Sequence, residues 1–196
     1  MTEGFRDPVE IDSVEDTAGW IMNTDLLLDR TGRVHLLYFK RTIQYAFLRD
    51  RFFPGRPMTD EIVHVVIDRG RVVARQIVHT QSAEPLSADS SATRPALCAR
   101  LHQLADGRLV AVYTVSEPTA KDGNGSLDLL VRRLDTAGAA VYEPSRVPLA
   151  RPVFSEWAFF TNTPRGGSAP DGQLDLLGGH VAGNKMTLCH VSLRIE

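Results

Sequence analysis

Residues 92–116 read ATRPALCARLHQLADGRLVAVYTVS, and they decide the fold. Two apolar runs, Ala96 to Leu104 and Leu109 to Val115, flank Ala105-Asp106-Gly107. A glycine there takes positive φ without steric cost, so the stretch predicts a β-hairpin. Pro95 biases Arg94 toward extended backbone, which places that arginine at the mouth of the first strand.

Working outward, the same pattern returns on both sides. DRTGRVHLLY (Asp29 to Tyr38), LADGRLVAVY (Leu104 to Tyr113) and APDGQLDLLG (Ala169 to Gly178) each run from a glycine turn into an alternating strand. Their glycines, Gly32, Gly107 and Gly172, recur at intervals of roughly 65 to 75 residues, too long for one hairpin and suited to a four-stranded unit. Glu61 to His79 and Ser126 to Val147 each read as strand, Asp/Gly turn, strand, rich in β-branched residues. Lys185 to Glu196 supplies the third unit's last strand, so that unit lacks its outermost one.

The expected fold is all-β: a propeller-like arrangement of about three four-stranded antiparallel blades, a partial propeller over residues 1–196 with units at about 18–80, 92–150 and 152–196. Strands are expected at about 20–28, 33–39, 61–67 and 71–78 in unit one. Unit two should have them at about 96–104, 108–115, 127–134 and 139–148, and unit three at about 154–161, 173–178 and 185–194. An insertion, Lys40 to Asp60, is expected to add a strand of its own at Thr42 to Arg49; no segment shows a sustained helical period, the best helical candidate, Tyr45 to Phe53, being short and ending at Pro54. Three blades do not close a ring, so the N-terminal segment, further blades or a second copy is expected to cover the open edges.

Composition narrows the function classes. The chain has 196 residues, 43% hydrophobic and 23% charged, enough for a packed core. A net charge of −2 argues against a nucleic-acid partner, and no apolar run approaches the ~20 residues that span a bilayer. Met1 to Glu10 does not read as a signal peptide. Cys98 and Cys189 lie in apolar runs and read as buried free thiols. His35, His64, His79, His102, His180 and His190 show no metal-ligand spacing, so no metal or cofactor is expected, and His35 reads as a hydrogen-bonded strand residue.

Arg94 to Glu117 resembles the sialidase superfamily, or BNR-repeat proteins. Their first blade opens with Arg-Ile-Pro, an apolar strand, an Asp-Gly turn and a second strand. Here the text is Thr93-Arg94-Pro95-Ala96-Leu97, without the Ile. LDLLVRRLDTAGAAVY is similar to the strand before that family's Asp box, with Asp135 matched, Ala137 at the Gly position and Gly138 displaced by one. The resemblance implies carbohydrate processing or binding at one end of the propeller, carries over Arg94 alone, and implies a secreted or periplasmic location if the chain continues N-terminally. It leaves open a glycoside hydrolase, a polysaccharide lyase or part of one, or a non-catalytic module binding glycan or protein.

In this layout the starts of first strands and the loops between second and third strands share one face. That face would gather Arg94 and Arg41 as substrate anchors, Tyr45, Trp157 and His180 as further substrate-binding residues, and Glu117, Asp122 and Glu156 as proton carriers. Arginine clamps carboxylates bidentately, an aromatic ring stacks on a sugar, and a carboxyl of tuned pKa serves as acid or base. Each has a plainer reading: Arg94 as a strand cap paired with a carboxylate, Trp157 as an apolar strand residue in SEWAFF, Glu117 and Asp122 as parts of a solvated connector. LRDRFFPGRP, arginines among aromatics, reads as packing the insertion onto its blade.

Overall fold

A computed structural model describes residues 9–84, 99–116, 127–135, 142–148, 157–162, 172–182 and 185–195. They form three antiparallel sheets. Blade one orders β1 (Trp20–Leu28), β2 (Val34–Arg41), β3 (Thr59–Asp68) and β4 (Arg71–Ser82). Blade two orders β5 (Ala99–Gln103), β6 (Leu109–Ser116), β7 (Leu127–Leu134) and β8 (Ser145–Arg146). Blade three pairs β9 (Trp157–Asn162), β10 (Gln173–Ala182) and β11 (Lys185–Arg194), with β10 central. The all-β, partial-propeller expectation holds.

The repeated turns have the same backbone. In blade one the Asp29 N–H donates to the Arg33 carbonyl at 3.0 Å and the Gly32 N–H to the Asp29 carbonyl at 3.1 Å. In blade two Leu104 donates to Arg108 at 2.8 Å and Gly107 to Leu104 at 2.9 Å. Gly32 and Gly107 sit at φ 85° and 90°, where a side chain would strain the backbone. Gly172 makes a different closure, its carbonyl accepting from Ile195 at 2.8 Å.

Alternation then divides each blade into two faces. Leu37 and Ile62 of blade one pack on Leu101, Ala111 and Tyr113 of blade two. Val110, Val112 and Leu129, on the other face of blade two, pack on Leu174, Leu176 and Leu193 of blade three. Stacking blade on blade buries two apolar seams, and truncating a Leu in either would cost about 2–5 kcal/mol. The inner strands are also tied: Asp25, at a bulge in β1, accepts from the Leu101 N–H at 3.0 Å, and Arg100 donates to the Thr24 carbonyl at 2.6 Å.

Three expectations need correction. Thr42 to Arg49 is not a strand: the insertion carries α1 (Ala46–Phe52), inside the short segment Tyr45 to Phe53, whose sequence shows no sustained helical period. Leu48 and Phe53 anchor it on Ile43, Met58 and Ala83, leaving Phe47 and Phe52 in solvent. The outermost strand of blade two shrinks to Ser145–Arg146, with Tyr142 to Pro144 outside regular structure; residues 136–141 lie outside the described residues. The N-terminal segment from Val9 forms a 3-10 turn at Glu15–Thr17 rather than a closing strand. It nevertheless covers the free face of blade one: Ile11 packs with Tyr38, Val63 and Val65, and Asp12 accepts from the Tyr38 hydroxyl at 2.6 Å and Lys40 at 2.9 Å. Cys189 is a half-buried free thiol against the second seam; Cys98 lies outside the described residues.

Candidate functional site

Strand direction sets one end of the blades, where β1 starts, β2 ends and the insertion begins. There Arg41 and Asp60 are direct cross-strand partners. Arg41 Nε donates to Asp60 Oδ1 at 2.7 Å and Nη2 to Oδ2 at 2.8 Å, a bidentate pair with Arg41 only 8% and Asp60 1% exposed. Gly19 runs against this edge so closely that a Cβ would lie 2.2 Å from the Arg41 carbonyl, so no side chain fits there. On the other side of Arg41 stands Trp20, its ring 4.9 Å from that of Phe39.

Tyr45 is the N-cap residue just before α1 and is 48% exposed, stacked on Phe47, itself 63% exposed, with ring centroids 5.5 Å apart and planes 14° apart. Gln44 Nε2 donates to the Tyr45 hydroxyl at 3.2 Å. The two rings therefore present an exposed aromatic face at this end. Arg49 reaches Asp50 at 2.8 Å and also pairs with Glu84. Glu84 is held below the usual carboxylate range by the Met58 N–H first and then by Arg49, which outweigh its burial.

Of the residues expected at this end, Arg41 and Tyr45 lie there, with Arg41 committed to Asp60. Trp157 is the first residue of β9 and His180 stands near the end of β10, so both backbones are at the same end. Arg94, Glu117, Asp122 and Glu156 lie outside the described residues. Among the described residues no group of three or more His, Cys, Asp or Glu is placed to hold a metal ion. No described helix is long and apolar enough to cross a membrane.

Sequence reading missed a buried relay in blade one. The Gln76 amide nitrogen lies 2.8 Å from His64 Nδ1 and 3.0 Å from the Asp135 carbonyl of blade two. His64 Nε2 is 3.0 Å from His35 Nδ1, and His35 Nε2 is 3.3 Å from Asp29 Oδ2. An amide nitrogen can only donate, so His64 accepts at Nδ1, donates from Nε2 to His35, and His35 donates from Nε2 to Asp29. Both rings are neutral Nε2–H tautomers in one directional chain. Burial pushes His64 down to about 3, helped by the neighbouring His35, and burial lowers His35 against the pull of Asp29. Burial raises the Asp29 carboxyl, but hydrogen bonds from Thr31, Arg33 and His35 outweigh it and hold it low. Its two rings are closed to solvent, and the relay ties blade one to blade two through Gln76 and the Asp135 carbonyl.

No protein-family model matches the sequence, and no curated protein matches it either. Among solved structures the chain is similar to the endo-arabinase from Bacteroides thetaiotaomicron VPI-5482, with a TM-score of 0.50 at 14% identity over 96% of this chain. The match spans 61% of the endo-arabinase chain, and at that identity it is a likeness of fold alone.

Proposed function

We propose that this protein is a carbohydrate-active protein of propeller type that engages a glycan at the end of the blades bearing Arg41 and Tyr45. The observation that carries the reading is the solvated Tyr45–Phe47 stack on a helix anchored beneath by Leu48 and Phe53. A flat aromatic face takes the C–H face of a sugar ring, and Gln44 beside it offers hydrogen bonding to hydroxyls. In this reading Tyr45 and Trp157 stack on sugar rings, Arg94 anchors an anionic or hydroxyl-rich group, and His180 lines the same end. Glu117, Asp122 and Glu156 are the proton carriers of a hydrolase or lyase, or part of one. The sialidase-like text around Arg94 and a structural neighbour named as an endo-arabinase both support a glycan ligand.

A second reading, a non-catalytic module binding glycan or protein, is favoured by the Arg41–Asp60 pair. Each group already satisfies the other, so neither is poised as a free anchor or proton carrier.

The test is binding of arabinan and of neutral and acidic oligosaccharides to wild type, Tyr45→Ala and Arg94→Ala, with melting curves to confirm folding. Glycan binding weakened at least about tenfold by Tyr45→Ala supports the reading. Selective loss of acidic glycans in Arg94→Ala assigns that anchor, and release of new chain ends separates an enzyme from a binder. Failure of every glycan to bind folded wild type sinks the proposal.

A further inference from the structure

At the opposite end of the blades, the first turn of blade two, residues 142–148 and the end of β11 enclose a cleft of about 490 Å³ between blades two and three. Its floor is the second seam itself: Leu104, Val110, Val131 and Leu193. Its rim carries Arg108, Arg133, Arg146 and Arg194, with Glu143 as the lining carboxylate. Arg108 and Arg146 already have carboxylates, Asp106 and Asp128. The Arg133 guanidinium instead lies 4.6 Å over the Tyr142 ring. Among the described residues neither Arg133 nor Arg194 has an ion-pair partner.

A chain of net charge −2 that gathers four arginines round one apolar hollow has made a local cationic site against its own average. The Tyr142 ring gives the Arg133 guanidinium a cation–π contact but no carboxylate, and a guanidinium can grip a carboxylate in two places. The volume is that of a small-molecule site. A bare anion would leave the apolar floor unfilled; a neutral sugar would leave the arginines unanswered.

We propose that this cleft binds an acidic monosaccharide unit, a hexuronate whose carboxylate meets Arg133 and Arg194 while its ring lies over the Leu104–Val110 floor beside Tyr142. It is a separate site from the Tyr45 end and does not depend on the function proposed there.

The experiment is titration of the whole chain with D-glucuronate, D-galacturonate, D-glucose and inorganic phosphate, followed by amide chemical-shift changes and calorimetry. Uronate should bind saturably, shift the amides of 104–108, 142–147 and 193–195, and weaken severalfold in 0.5 M salt. R133Q/R194Q should weaken it at least tenfold, and Arg194→Lys, which keeps the charge but not the fork, severalfold. Tyr45→Ala should leave it unchanged, which separates failure of this site from failure of the other. Both rim residues are exposed, and melting curves confirm that the variants fold. No uronate binding, equal binding of glucose, equal binding of phosphate, or unaltered binding in R133Q/R194Q would each overturn the proposal.

Discussion

The two seams between blades grow from one repeat and differ in chemistry. Val110 and Val112 of β6 face blade three and meet Leu174 and Leu176. The equivalent residues of β2 are His35 and Leu37, which face blade two. At the first seam His35 starts the relay that ends on the Asp135 carbonyl, Asp25 binds the Leu101 N–H, and Arg132 donates to the Val78 carbonyl. The second seam, among the described residues, is aliphatic. Apolar contacts tolerate small slips, whereas a chain of directed donors is satisfied in one arrangement, so the first seam holds blades one and two in register.

The largest expected effect is at the buried ion pair within blade one. Arg41→Ala leaves Asp60 buried with an uncompensated charge and should cost about 3–5 kcal/mol in urea unfolding. A loss below about 1 kcal/mol would mean water reaches Asp60 and the pair is a surface one. At the second seam Leu176→Ala should cost about 2–5 kcal/mol by transfer and cavity terms, without any pH dependence.

Acid should separate the seams. His35 and His64 are held below the ordinary histidine value, so on acidification the unfolded chain takes up their protons first. Their contribution is therefore complete above about pH 6.5 and is lost as pH falls toward 3, at up to about 1.4 kcal/mol per pH unit for each ring. Removing both rings together, His35→Val with His64→Leu, copies the aliphatic pattern of the second seam. It should be near neutral at pH 7 and should flatten stability between pH 6.5 and 4, because Gln76 keeps the Asp135 carbonyl and Asp29 keeps Thr31 and Arg33 as partners. A wild-type curve already flat over that range would remove the relay from the account.

The smallest effect compares two tyrosines at equivalent repeat positions. Tyr38 donates to Asp12 at 2.6 Å, while the Tyr113 hydroxyl is buried without a partner among the described residues. Tyr38→Phe should cost about 1–3 kcal/mol, and Tyr113→Phe should be neutral or stabilising by under about 1 kcal/mol. Equal losses would show that Tyr113 has a bound water as partner.

Much of the fold was legible because its signals are local. Apolar runs bounded by turn signals place β1, β3, β6 and β7 within about two residues, and Gly32 and Gly107 mark turns whatever surrounds them. The insertion read as a strand because Tyr45 to Phe53 is too short to show a sustained helical period. Burial of Leu48 and Phe53 on Ile43, Met58 and Ala83 decided for a helix. At the candidate site Tyr45 and Arg41 were readable as residue types at a loop. Asp60 as the partner of Arg41 was not, since that pairing exists only once β2 and β3 register across the insertion.

By itself, then, the sequence determined the alternation, the turns and the count of blades, each a property of neighbouring residues. Tertiary structure alone decided the partners. His35 and His64 share a hydrogen bond because two strands pair, Gln76 reaches Asp135 because two blades stack, and the arginines of the far cleft converge from separate turns and strand ends of two blades. Alternation specifies which face a side chain takes but not what it meets there; that is set by register and stacking, which depend on residues far apart in the chain.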